Sequence, residues 1–183
     1  MTTASLRTYL RRQTHDLHQE LDQGIGSFDN AERYRVYLRG VGAFRAVVEP
    51  AMRRAGASET FAGFKPTFIY HHAVADMQDL DIEPVEHPCK IDAEIAPASI
   101  LGAMYVIEGS TLGARLLYKR AQDLGFRADW GARHLHAQTS TDRSWSKLQS
   151  LLDASDEKDW RAAASSAKTM FTIAIQTFKA ART

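Results

Sequence analysis

PASILGAMYVIEGSTLGARLLYKRAQDL, residues 97–124, decides the fold class. Pro97 suits the first turn of a helix. The apolar residues after it keep helical spacing, with no period-two alternation longer than a few residues. Outward from this stretch the same pattern fills the chain. A first helix is expected from Ala4 to Asp22, with Leu6, Leu10, Thr14, Leu17 and Leu21 on one stripe and Gly24 and Gly26 ending it. A second starts at Asp29 or Asn30, either a good cap, and runs through Tyr34, Tyr37, Leu38, Val41, Phe44, Val48 and Met52 to Gly56. A third runs from near Pro66 toward Leu80. Residues 81–97 are polar with three prolines and read as an irregular connection. Downstream, Trp145, Leu148, Leu151 and Leu152 mark a short fifth helix. Trp160, Ala164, Ala167, Phe171, Ile175 and Phe178 mark the last. With 27 alanines among 183 residues, the sequence predicts one all-α domain over residues 1–183.

Composition narrows the function. Lys and Arg number 23 against 22 Asp and Glu, a net charge of +1 that gives no electrostatic case for nucleic acid. The apolar runs read as too short for the ~20 residues of a membrane span, and the first residues lack the apolar centre of a secretory signal. One cysteine, Cys89, excludes an internal disulfide and a cysteine-based zinc site. It has no local base and reads as inert. The cytoplasm is the expected compartment.

Two patterns ask for an explanation. On the first helix, His18 lies about 60° from Leu21 and about 20° from Arg7 and Arg11 at 100° per residue. A histidine and two arginines therefore share one edge of the apolar stripe, as a metal ligand beside carboxylate-binding cations or as a solvated boundary. On the fourth helix, Gly109 and Gly113 stand four apart, in line with Gly102 and Val106. Each glycine costs about 1 kcal/mol relative to alanine in a helix. That cost is explained by a groove where a flat ligand meets backbone, or by close helix packing. His15 with His18 lacks further ligands for a metal of its own, and Glu-x-x-His pairs are absent. The pairs His71-His72 and His134-x-His136 read as surface or capping histidines. Ser110 is mid-helix and does not sit in a hydrolase elbow.

Four segments together resemble the heme oxygenases, especially bacterial ones encoded near phytochromes. Leu6-Arg7-x6-Thr14-x3-His18 is similar to the proximal helix. Asp29-x4-Tyr34-x2-Tyr37-Leu38-x3-Gly42-x-Phe44 is similar to the second helix. Leu101 to Gly113 resembles the distal helix, and Ala167-Lys-Thr-Met-Phe171 the final one. The resemblance implies a helical bundle with heme between proximal and distal helices. His18 would ligate iron, and Arg11 would sit near a propionate. Tyr105, Phe171 and a basic residue of the fifth helix, Arg143 or Lys147, would contact the ring or its carboxylates. Gly109, Ser110 and Gly113 would form the distal, catalytic face. Heme would be cofactor and substrate, opened by dioxygen and electrons to biliverdin, carbon monoxide and ferrous iron. The electrons would come from an external donor such as a ferredoxin or flavin reductase. Two departures stand out. Ser110 replaces an aspartate that many members carry, and Ala114 replaces a second glycine. They support an alternative in which the same fold binds heme with little turnover.

Overall fold

The computed structural model describes residues 5–61, 64–85, 91, 95–140 and 144–183. Among these, eight α-helices and one 3-10 turn (Glu157–Asp159) form the chain, with no strand. They are α1 (Leu6–Ile25), α2 (Ala31–Arg54), α3 (Ala57–Thr60), α4 (Tyr70–Asp79), α5 (Pro97–Asp123), α6 (Arg133–Thr139), α7 (Ser144–Asp153) and α8 (Trp160–Ala180). The all-α expectation holds. Local chemistry sets several ends. Ser5 Oγ accepts the Thr8 N–H at the start of α1, and Gly26 closes that helix at φ +64°. Asn30 caps α2 by accepting the Arg33 N–H at 2.9 Å.

α8 is the central post, against which α1, α2 and α5 all lie. One core gathers Leu6, Leu10, Val48, Met52, Ile100, Met104, Ile107, Leu148 and Phe171 around α5 and α8. A second is aromatic: Tyr34 stacks on Phe126 with centroids 4.2 Å apart, flanked by Phe28, Tyr37 and Phe178. α5 meets α8 without a gap at Gly102, where an added Cβ would lie 2.7 Å from the Ala163 carbonyl carbon and closer still to its oxygen. By length and composition α5 could cross a membrane, which corrects the expectation that every apolar run is too short. Half of its apolar window is buried inside the fold, so that length serves the core.

Three helices differ from expectation: the four-residue α3 was not foreseen, and α4 and α6 differ for one shared reason. α4 begins at Tyr70, not near Pro66, and α6 was not foreseen. Neither has a capping side chain of its own. Each takes one from a buried acid on another helix. Glu49 of α2 accepts the N–H groups of Ile69 and Tyr70 at 2.6 and 3.1 Å. Asp76 of α4 accepts those of Arg133 and His134 at 3.0 and 2.9 Å.

Candidate active site

The site begins on the exposed edge of α1. His18 keeps 58% of its side-chain surface exposed, and its Nδ1 lies 2.9 Å from the Asp22 carboxylate one turn on. An Nδ1–H donated to Asp22 leaves the Nε2 lone pair for a metal, the arrangement in which a carboxylate fixes the tautomer of a metal-binding histidine. The imidazole stands edge-on to Phe171 of α8, centroids 5.6 Å apart, so one flank is dry. Among the described residues no group of three or more His, Cys, Asp or Glu is placed to hold an ion.

Tyr105 of α5 faces this edge. Burial raises the pKa of its phenol, while a hydrogen bond with Thr14 and the charges of Arg11 and Arg7 oppose the rise. This places both arginines near Tyr105, at the N-terminal end of the α1 edge. Trp145 of α7 lies 6.1 Å from the Tyr105 ring and marks the same end.

Beyond Tyr105 the face of α5 opens. Among the described residues, an added Cβ on Gly109 would meet only Trp145, at 3.9 Å, and one on Gly113 nothing within 4 Å. Leu112 and Leu116 on this face are 61% and 57% exposed. A backbone face without side chains and two uncovered leucines on α5 can take a flat apolar group, and α1 offers an oriented imidazole.

Behind the face lies a buried ionic cluster. Arg45 of α2 is 2% exposed, and Glu49 and Glu108 are fully buried. Burial lowers the pKa of the Arg45 guanidinium, against the pull of Glu49 and Glu108. Glu108 accepts both the N–H and the hydroxyl of Thr67, at 2.6 and 3.0 Å. Arg45 donates to the Thr67 carbonyl at 3.2 Å and to Ser110 Oγ at 3.0 Å. Ser110 Oγ also accepts from Gln138 Nε2 at 3.1 Å and donates to the Ile107 carbonyl at 2.6 Å. A hydroxyl offers one donor and two acceptor positions. All three are taken by protein groups.

The structure thus brings His18, Phe171, Arg11 and Tyr105 to one region, with Gly109 and Gly113 on an open face. Lys147 is exposed on α7, which borders α1 and α5. Arg143 and Cys89 lie outside the described residues. The reading of His134 as a surface or capping histidine is corrected. It is fully buried, its Nδ1 is 2.8 Å from Asp76, and its Nε2 has no partner among the described residues. Sequence reasoning missed Arg45, Glu49, Glu108, Asp76 and Gln138. A signal was present for two of them, since Arg45 and Glu49 fall among Val41, Phe44, Val48 and Met52 on a helix expected to be apolar there.

No protein-family model matches the chain. Its sequence is 29% identical over 179 residues to heme oxygenase PigA of Pseudomonas aeruginosa, covering 91% of this chain and 90% of that protein. Its structure is similar to that of NO- and CO-bound heme oxygenase from Neisseria meningitidis (TM-score 0.74, 23% identity, 97% of this chain and 94% of that one). It is also similar to heme oxygenase from Leptospira interrogans (TM-score 0.67, 16% identity, 96% and 98%).

Proposed function

We propose that this chain, a member of the heme oxygenase family by sequence and fold, opens heme oxidatively to biliverdin with release of carbon monoxide and ferrous iron. The observation that carries this reading is His18, an exposed imidazole with its Nδ1 on Asp22 and its flank on Phe171. Bound heme supplies the iron that takes up electrons and dioxygen and the ring that is cleaved. The chain supplies position and surroundings. His18 offers Nε2 to iron, and Asp22 holds the tautomer. Arg11, with Arg7 beside it, offers charge to the propionates. Phe171 keeps water from one side of the imidazole. Gly109 and Gly113 let the α5 backbone approach the ring, and Tyr105 bounds the slot at its arginine end. Lys147 and Arg143 are further candidates for the carboxylates. Electrons come from an external donor such as a ferredoxin or flavin reductase.

One observation favours a second reading, heme binding with little turnover. The Ser110 hydroxyl is already engaged by Arg45, Gln138 and the Ile107 carbonyl, which compete with a water molecule on the distal side. Hemin titration of the purified protein, followed by reductant and oxygen, separates the two. A Soret band of histidine-ligated heme that gives way to bilin absorption supports the oxygenase; a band that persists supports the binder. His18→Ala should leave helicity intact, shift the spectrum to a weakly ligated form and abolish turnover. A wild-type spectrum in that variant would remove His18 from the site.

A further inference from the structure

We propose that Arg45 and Gln138 are positioning residues: through the Ser110 hydroxyl they hold one turn of α5, and so set where the Gly109–Gly113 face stands in the slot. The inference rests on the proposed function for its purpose and on the hydrogen bonds alone for its geometry.

The held turn has features that loosen a helix. Ser110 Oγ donates to the Ile107 carbonyl and Thr111 Oγ1 to that of Glu108, each at 2.6 Å. Arg45 also reaches the Ile107 carbonyl, at 3.5 Å. Those two carbonyls are the helical acceptors for the N–H groups of Thr111 and Leu112. Side-chain hydroxyls competing for backbone carbonyls loosen and bend helices. The glycines at 109 and 113 flank the same turn, each lowering helix propensity by about 1 kcal/mol. Among the described residues, the open side of Gly109 and Gly113 offers little support from that direction.

Support comes instead from two other helices. The arm from α2 is Arg45, fixed by Glu49 at 3.5 Å and by the Thr67 carbonyl. The arm from α6 is Gln138, on a helix whose first N–H groups are held by Asp76. Both side chains are buried, 2% and 6% exposed. They converge on one oxygen whose acceptor positions they fill, and they act on the slot through Ser110.

Four proteins test this: wild type, Gln138→Leu, Ser110→Ala and Ser110→Thr, the last keeping the hydroxyl. Without hemin, amides of residues 110–116 should exchange about tenfold faster in Gln138→Leu and Ser110→Ala, with α8 unchanged and Ser110→Thr at the wild-type rate. After hemin loading, the same two variants should change the high-spin to low-spin balance of the ferric spectrum and the ratio of biliverdin isomers, while Ser110→Thr keeps both. Unchanged exchange at 110–116, or acceleration spread evenly over the chain, would overturn the proposal. So would faster exchange with a wild-type spectrum and isomer ratio. A wild type that takes up no hemin would overturn the proposed function instead, and the exchange rates would then decide the hold on α5.

Discussion

Gly102 and Gly113 stand on one row of one helix and meet opposite surroundings. At Gly102 the backbones of α5 and α8 are so close that a methyl group would enter the Ala163 carbonyl. At Gly113 the same methyl would touch nothing among the described residues. Sequence leaves two explanations open for a glycine row, close packing and an open groove; α5 has close packing at Gly102 and, among the described residues, open space at Gly113. The closed end joins two helices into one core. The open end leaves the same backbone bare, the feature on which the proposed heme contact rests. Which end a glycine serves depends on whether another helix lies opposite it.

The largest test of this contrast is Gly102→Ala. The obstacle is backbone, which cannot rotate away, so the ligand-free protein should lose about 3 kcal/mol in denaturant unfolding. Loss of less than about 1 kcal/mol would show that the closed end yields. Next is Asp76→Asn, which strikes the support of the open end through α6. Burial pushes the Asp76 carboxyl upward, but its hydrogen bonds from His134 and Arg133 outweigh this and leave its pKa below the ordinary 3.8. A depressed pKa gives stability that is present above the unfolded-state value and lost as pH falls through the folded one. Acid below about pH 4 should therefore loosen α6 and the Ser110 turn before the Gly102 seam, read by site-resolved amide exchange. The variant should lose about 2 kcal/mol at neutral pH and show the same loosening there.

Gly113→Ala should invert the Gly102 result. The ligand-free protein should gain about 0.5–1 kcal/mol from helix propensity, while hemin affinity or turnover falls. A destabilised protein with normal turnover would place a hidden packing contact at the open end. The smallest effect is expected for Arg11→Ala, an exposed side chain: hemin binding weaker by about 1 kcal/mol with unchanged unfolding. Equal affinity would take Arg11 out of the site.

The elements with their own apolar stripe were legible in the sequence. α1, α2, α5, α7 and α8 fall within a few residues of their expected limits, because stripe and caps are local. The glycine row and the His18 edge were legible too, as departures from what a plain helix prefers. α6 was not. RHLHAQT has no stripe, and the acid that caps it lies 57 residues upstream of Arg133, at Asp76. The start of α4 was misplaced for the same reason, since Glu49 holds Ile69 and Tyr70 from another helix. Ser110 was read as part of the distal face, and it is exposed there, but what holds its hydroxyl was not legible. Its actual partners, Arg45 and Gln138, are 65 and 28 residues away along the chain and leave no signature beside it.

The borrowed caps also bear on the order of folding. A seven-residue helix without a cap of its own has little reason to persist in an unfolded chain. α6 gains its first hydrogen-bond acceptor only when α4 presents Asp76, and α4 gains its own only when α2 presents Glu49. Structure should therefore spread in one direction, from α2 to α4 to α6. In pulse-labelled refolding the amides of α6 should gain protection after those of α2, and disruption of the last step should act mainly on the unfolding rate.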